Sequence, residues 1–324
     1  MQPREISALV MGPAGRAALP VPDAPRVSAS QVPLLRQIAA VDESGAARAL
    51  FLPVERPLTI ALDGRELVTL MTLGGAPEWL VLGYLHNQRL IDEAAALESI
   101  EVDWTECCAR VTSRRRASPA SANAGRGAGA GPGAGATPLG CALGTVFRGA
   151  MRGAEGAQVL DAAGNAAGGA AAGAAAARAA AGTSARVSHT QILAILETMR
   201  RHDAIHQAAG GVHSGALFQG DELWAAVEDV SRHNGIDTIT GFMALHGIAG
   251  ADKILFSTGR LTGEMVMKAA HNGVPVMISR NGTTAMGYEL AARLGMTLIG
   301  RAANRRYVCY IGAERIDADH IGTD

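Results

Sequence analysis

Two stretches of the chain carry regular hydrophobic patterning, and a long tract between them carries none. In the first stretch, Leu58–Leu62 and Leu67–Leu73 are apolar runs joined by Asp63-Gly64-Arg65-Glu66. Asp-Gly between two such runs predicts a β-hairpin, since the tight turn needs left-handed backbone angles that these residues tolerate. Gly74-Gly75-Ala76-Pro77-Glu78 follows. Proline suits the first turn of a helix and a carboxylate complements its positive end, so a helix is expected from Pro77 to about Leu90. Ser99–Val102 reads as a further strand, and residues 46–113 read as a compact α+β unit.

The second stretch starts at Ser188, which is placed to cap a helix reaching about Arg201. Strands are expected near Leu223–Val227, at Lys253–Ser257, at Val276–Ser279, and over Thr297–Gly300 and Tyr307–Ile311. Helices are expected from Glu228 to about His246, from a Thr262 cap to about Asn272, and from Thr283 or Thr284 to Leu294, with Gly295 just past its end. Strand and helix alternating at this spacing predicts parallel strands covered by helices. Residues 1–45 hold scattered prolines and no sustained periodicity. They read as a disordered tail, in which Val32–Ala40 has the spacing of a short helix.

From Arg114 the patterning is lost. Arg114-Arg115-Arg116 leads into a Ser/Ala/Gly/Pro tract, and Gly153–Ser184 is again almost entirely small residues. Such segments bury too little apolar area to offset their conformational entropy, so residues 114–187 are expected to be mostly disordered. The arginine run reads as a solvated charge run more readily than as a nucleic-acid patch.

Composition narrows the function classes. The chain has 324 residues and a net charge of −1, so no strong field draws nucleic acid or an anionic membrane. Its four cysteines, at 107, 108, 141 and 309, form no Cys-x-x-Cys pair and do not read as a secreted disulfide framework. The first residues lack the apolar core of a signal peptide, and the alanine-rich run is too weakly hydrophobic for a membrane span, so a cytoplasmic location is expected.

Candidate chemistry gathers at the ends of predicted strands. Gly210-Gly211-Val212-His213, Ser257-Thr258-Gly259-Arg260-Leu261-Thr262 and Ser279-Arg280-Asn281-Gly282-Thr283 hold small polar residues where helices begin, and backbone N–H groups there suit anions. Ordinary capping accounts for any one of them; three together, with Arg260, Arg280, Arg301, Arg305 and Arg306, point to a nucleotide-like anionic ligand. His213 is a candidate acid, base or ligand, or a hydrogen-bonded structural histidine. Glu228, Asp229 and His233 have no metal-site spacing and suit helix capping. Cys141 sits within Gly140-Cys141-Ala142-Leu143-Gly144-Thr145, where flanking glycines favour a mobile loop whose thiol can travel between two partners.

The chain resembles the FdhD family, the formate dehydrogenase accessory sulfurtransferases. The resemblance rests on Gly210-Gly211-Val212-His213-Ser214-Gly215-Ala216-Leu217, Glu228-Asp229-Val230-Ser231-Arg232-His233-Asn234, Gly259-Arg260-Leu261-Thr262-Gly263-Glu264-Met265-Val266-Met267-Lys268-Ala269, Gly273-Val274-Pro275 and Thr297-Leu298-Ile299-Gly300. The segment from Glu55-Arg56-Pro57-Leu58 to Leu82-Gly83-Tyr84-Leu85 matches as well. The resemblance implies an α/β fold with a cytidine deaminase-like αβα domain at 188–324, beside the smaller N-terminal α+β unit and disordered Gly/Ala-rich insertions. It implies a homodimer.

The implied activity is sulfur transfer: a cysteine desulfurase supplies sulfur as a persulfide, and the protein passes it to the molybdenum or tungsten bis-guanylyl pterin cofactor that formate dehydrogenase uses. Mo-bis(molybdopterin guanine dinucleotide) is then the sulfur acceptor. By position, Cys141 matches the first cysteine of the family's loop motif and Gly144 stands at the second. Arg301, Ala302, Ala303, Asn304, Arg305 and Arg306 correspond to the family's cofactor segment. The zinc signature of the deaminases, His-x-Glu with Pro-Cys-x-x-Cys, is absent, so no metal site is expected. The rival expectation is a chaperone that binds the pterin cofactor without carrying sulfur.

Overall fold

The computed structural model describes residues 7–114, 138–139 and 185–317. Its centre is a seven-stranded sheet. Strand β1 (Leu9–Met11) lies at one edge, followed by β12 (Glu222–Asp229), β11 (His213–Gln219), β13 (Lys253–Ser257), β14 (Val276–Ser279), β15 (Thr297–Ala303) and β16 (Arg306–Ile311). Only β13, β14 and β15 run parallel; the pairings of β1 with β12, β12 with β11, β11 with β13 and β15 with β16 are antiparallel. The sheet is therefore mixed rather than wholly parallel as expected. The reason is local: β11 and β12 are joined through Gly220-Asp221, and two residues suffice for a hairpin but not for a crossover.

Side chains alternate across this sheet and feed two cores. Leu255, Met277 and Leu298 pack beneath α5 (Arg232–Leu245), α6 (Gly263–His271) and α7 (Ala285–Arg293), with Phe242, Met265 and Ala291. Ile254, Phe256, Ile278 and Ile299 face the other way, against Ile192, Ile195 and Met199 of α3 (His189–His202). Full burial of each such side chain contributes about 1.5–3 kcal/mol, so both faces are specified. Helix α3 starts on a capping box: Ser188 Oγ accepts from Gln191 N while the Gln191 side chain accepts from Ser188 N.

A six-stranded sheet forms the N-terminal unit, in the order β2 (Arg26–Val27), β7 (Leu97–Asp103), β8 (Cys108–Ser113), β5 (Arg56–Leu62), β6 (Arg65–Thr72) and β9 (Pro138–Leu139). The predicted hairpin is β5–β6, with Asp63 and Gly64 both at positive φ. The predicted helix is α2 (Pro77–Asn87). It packs on α5 so closely that a Cβ on Gly83 would lie 1.7 Å from Asp237 O, and one on Gly241 1.9 Å from Trp79 O. Leu80, Leu82 and Leu85 of α2 and Leu245 of α5 share the core under this sheet.

Residues 7–45, expected as a disordered tail, are instead built into the fold. Strand β1 extends the central sheet, Ala8 is buried, and α1 (Pro13–Ala17) lies across Trp224, with a Cβ on Gly15 only 1.9 Å from Trp224 O. Val32–Ala40 is not a helix: Leu35–Val41 is strand β3, paired with β4 (Ala47–Pro53). Both strands draw their order from partners distant in sequence or from the turn between them, where Asp42 Oδ1 accepts from Ser44 N and Ala46 N.

Candidate functional site

The carboxyl ends of β13, β14 and β15 open onto one edge of the central sheet, and the loops that leave them are bonded to each other. Ser257 and Ser279, the last residues of β13 and β14, stand opposite one another and are buried. Ser257 Oγ accepts from Gly259 N at 3.0 Å. Ser279 Oγ donates to Gly259 O at 2.6 Å and accepts from Asn281 N at 2.9 Å. Asn281 Nδ2 donates to Thr258 O, and Asn281 O accepts from Arg301 N. Leu261 N donates to Gly282 O. Small hydroxyls and an amide are needed here because each must satisfy a turn of backbone that has left the ladder.

Strand β11 brings His213 to the same edge. It runs antiparallel to β13, so its first residues lie beside the last residues of β13: Ser214 N donates to Thr258 Oγ1 at 2.8 Å and Thr258 N to Ser214 O at 2.9 Å. His213 in turn pairs with Asp229 at the end of β12. Burial depresses the His213 imidazole first, and the nearby Arg232, His206, His233 and Arg260 depress it further, so it is neutral near pH 7. The Arg232 and Arg260 guanidiniums give this edge positive charge.

Behind the edge, buried acids hold the frame. The Asp203 carboxylate, 3% exposed, lies 2.6 Å from Arg280 Nη1 and accepts from Ser214 Oγ at 2.7 Å. The Arg280 guanidinium also covers the Phe256 ring at 5.8 Å. Glu228 accepts from Ile205 N and His206 N at 2.8 Å each; burial raises its carboxyl to about 7 despite those bonds. Asp229 accepts from Thr72 Oγ1, Leu73 N, Asn234 Nδ2 and Ser231 N, and burial still raises it to about 6. His233 Nδ1 lies 3.2 Å from Glu264 Oε1, and Lys268 Nζ lies 2.9 Å from Asp237 Oδ2 and 3.3 Å from Glu264 Oε1. Glu228 caps the short helix α4 (Ala204–Ala209), and Ser231, rather than Glu228 or Asp229, caps α5 through His233 N.

The segment expected to bind cofactor, 301–306, covers the end of β15, the Asn304-Arg305 turn and the first residue of β16. Arg301, Asn304 and Arg305 have φ of 51°, 51° and 61°. Ala302 is buried; Arg301, Ala303, Asn304, Arg305 and Arg306 are exposed. Through Arg301 N and Asn281 O this turn is joined to the β14 loop, so four of the segments picked out by sequence share one edge. Cys141 and Gly144 lie outside the described residues. The strand just before them, Pro138–Leu139, pairs parallel with Thr69–Leu70 of β6.

The remaining thiols have local environments. Cys107 Sγ donates to Trp104 O at 3.5 Å, and Cys309 Sγ to Ile311 O at 3.1 Å; burial raises the Cys108 and Cys309 thiols. Among the described residues no three His, Cys, Asp or Glu side chains are grouped to hold a metal ion, and no helix is long and apolar enough to cross a membrane. Sequence reasoning missed Asp203 and Thr72. Asp203 follows Arg200-Arg201-His202 at a helix junction, where a lone acid signals only a turn, and Thr72 ends an otherwise ordinary strand.

The model of the FdhD/NarQ family matches residues 53–150 and 150–317. "Sulfur carrier protein FdhD" of Bacillus subtilis is 25% identical over 273 residues, covering 81% of this chain and 88% of that protein. The protein of the same description from Geobacillus kaustophilus is 25% identical over 263 residues, covering 81% and 89%. A crystal structure from Desulfotalea psychrophila, assigned as a formate dehydrogenase accessory protein, superposes with a TM-score of 0.61 over 87% of this chain and 98% of that one, at 21% identity. That likeness establishes the shared mixed α/β fold.

Proposed function

The chain belongs to the FdhD/NarQ family, and from that premise we propose that it is a sulfur carrier acting as a homodimer in the cytoplasm, with Cys141 as the sulfur-bearing residue. The donor is the persulfide of a cysteine desulfurase. The Cys141 thiolate attacks the outer sulfur of that persulfide; the new S–S bond forms on Cys141 as the donor's S–S bond breaks, and the donor leaves as a thiolate. No electrons are gained or lost overall, and the carrier now holds one extra sulfur atom. The acceptor, and so the substrate, is a molybdenum or tungsten bis-guanylyl pterin, which then serves formate dehydrogenase. With Gly144 in place of a second thiol, the outer sulfur leaves at the sulfide level and Cys141 returns to the thiolate; the two electrons this takes come from the acceptor itself in direct transfer, or from an external thiol reductant that ends as a disulfide.

One observation carries this reading. Strand β9 runs parallel to β6, and β6 ends at Thr72, whose hydroxyl bonds Asp229 beside His213. The strand that precedes Cys141 by two residues therefore runs toward the cationic edge where the β13, β14 and β15 loops meet. Two residues of chain span at most about 7 Å, so the tether from Leu139 is short. The exposed arginines 301, 305 and 306 are suited to diphosphate oxygens, and left-handed backbone at Arg301 and Arg305 shapes the hairpin end that presents them. Helices on both faces of the central sheet support the cytidine deaminase-like description of its layering.

The test is persulfide loading by a cysteine desulfurase with cysteine, read by intact mass on the wild type and on Cys141→Ser. Loading confined to the wild type supports the carrier. The absence of the second loop thiol favours one rival, a chaperone that binds the pterin cofactor without carrying sulfur. That rival predicts that Cys141→Ala still activates formate dehydrogenase.

A further inference from the structure

We infer that His233 is the base that takes the proton of the sulfur-bearing thiol, with Glu264 as the residue that orients its ring. The inference deepens the carrier reading above and rests on it for the identity of the thiol. Both helices that supply the pair begin at the candidate edge. Helix α5 follows the end of β12, whose Asp229 pairs with His213, and α6 follows the loop that leaves β13. His233 and Glu264 lie in the first turns of those helices, and His233 Nδ1 stands 3.2 Å from Glu264 Oε1. One turn further along each helix, Asp237 and Lys268 repeat the pairing at 2.9 Å, and Lys268 Nζ also lies 3.3 Å from Glu264 Oε1.

The two pairs differ in access. Side-chain exposure is 3% at Asp237 and 4% at Lys268, against 7% at His233 and 15% at Glu264. The inner pair is closed: Asp237 Oδ1 accepts from Asn87 Nδ2 at 2.7 Å and Asp237 Oδ2 from Lys268 Nζ. The outer pair meets the edge. Two carboxylates share one ammonium here, so the cluster bears one negative charge beside a neutral imidazole and none once His233 takes a proton. An unbalanced buried charge is costly, so the cluster is built to receive an imidazolium. With Nδ1 turned to Glu264, Nε2 lies on the opposite side of the ring and has no bonding partner among the described residues. A nucleophile, a base and a group that orients the base is the recurring arrangement for activating a thiol, and such pairs tighten when the substrate arrives.

Other groups face the pair. From α2, Tyr84 lies near Asp237 and Glu264, and burial together with those acids pushes its hydroxyl above the ordinary tyrosine range. From β11, His213 lies near His233, with Arg232, His206 and Arg260 around it. His213 is the rival base. Among the described residues no carboxylate is paired with it, and Asp229 across the ladder is engaged by Thr72, Leu73, Asn234 and Ser231. In the step assigned to His233, the Cys141 Sγ–H bond breaks and the proton passes to Nε2. The electron pair stays on sulfur and attacks the donor's outer sulfur. The proton returns to the Cys141 thiolate after the outer sulfur has left, and no oxidant or reductant enters the proton transfer.

The experiment is the rate of iodoacetamide alkylation of Cys141 in the full chain from about pH 5 to about pH 10, mapped by peptide mass. It compares the wild type with His233→Gln, Glu264→Gln and His213→Gln. Alkylation needs no sulfur donor, so it is separate from desulfurase loading, which tests the carrier itself. The expected wild-type midpoint lies at least about one unit below the ordinary thiol value of about 8.5. His233→Gln should return it to about 8.5 and slow alkylation at about pH 7 roughly tenfold, with Glu264→Gln in between. A merely structural role would leave the midpoint where it is. A wild-type midpoint at the ordinary value overturns the inference, as does a shift produced by His213→Gln and not by His233→Gln. Where His233→Gln misfolds, Glu264→Gln at the more exposed position carries the test, and an unmoved midpoint there overturns it. Sulfur loading with an unshifted midpoint sinks only the base; a shifted midpoint without loading sinks only the carrier.

Discussion

Thr72 Oγ1 donates a 2.5 Å hydrogen bond to Asp229 Oδ2, fastening the end of β6 in the N-terminal sheet to the end of β12 in the central sheet. Leu73 N and Asn234 Nδ2 converge on the same buried carboxylate, and Asn234 Nδ2 also reaches Met71 O. The two units are thus locked together at the edge where the candidate site lies. Thr72→Val keeps the shape and removes one donor from an ionised acceptor, which should cost about 1.5–3 kcal/mol. That bond favours the charged carboxylate, so the loss should be larger at pH 7 than at pH 4.5. Equal losses at both pH values in chemical denaturation would contradict this role.

Two buried groups should give opposite pH slopes. Asp229 has its carboxyl raised to about 6 by burial, so the folded state holds its proton more tightly than the unfolded chain. Its contribution to stability is therefore greatest below the ordinary aspartate range and declines as pH rises to about 6. His271, stacked on His86 at 4.6 Å, is lowered to about 3, first by burial and then by Arg89 and His86. Its folded state resists protonation, so stability falls as pH drops from the ordinary histidine range toward 3. His271→Phe should flatten the acid limb below about pH 6.5 while leaving the Asp229 slope in place. Denaturation midpoints measured from pH 4 to 8 would show an unchanged acid limb if the account of His271 is wrong.

Gly83 is fixed by packing rather than by turn geometry. Alanine would raise helix propensity by about 1 kcal/mol, but its Cβ would lie 1.7 Å from Asp237 O of α5. Forcing the helices apart costs about 1–3 kcal/mol or more, so the clash should win and Gly83→Ala should lower the melting temperature. A more stable variant would mean that α2 and α5 do not cross here.

Arg306 is exposed as the first residue of β16, next to Arg305 and paired with Ala303 across the hairpin. If this turn grips a guanine nucleotide's phosphates, Arg306→Ala should weaken guanosine diphosphate binding about tenfold, the value of one charge-assisted contact. Calorimetry showing unchanged affinity would remove the turn from the site.

Much of this was legible where the determining contacts are local. Lys253–Ser257 and Val276–Ser279 are short apolar runs bounded by turn residues, and they form strands with those bounds. Ser188 marks a helix cap, and Asp63-Gly64 a hairpin turn. What could not be read depends on distant partners. Leu9–Met11 becomes a strand only because Ala225–Val227 offers an edge. Leu35-Arg36-Gln37-Ile38 has helical spacing, and only pairing with Ala47–Pro53 overrides it. In the site, strand ends and helix starts announced the loops, since small polar residues there have few other uses. The Asp203–Arg280 and Thr72–Asp229 contacts join residues far apart in the chain, and neither member carries a local signature.

The central claim is that Cys141 bears sulfur. The most direct test is the intact mass of the wild-type protein after incubation with an active cysteine desulfurase and cysteine, with peptide mapping and Cys141→Ser alongside. The account predicts one added sulfur atom, mapped to Cys141, lost in the variant and removed by a thiol reductant. A wild-type mass that does not change, or an adduct that persists in Cys141→Ser, would contradict it.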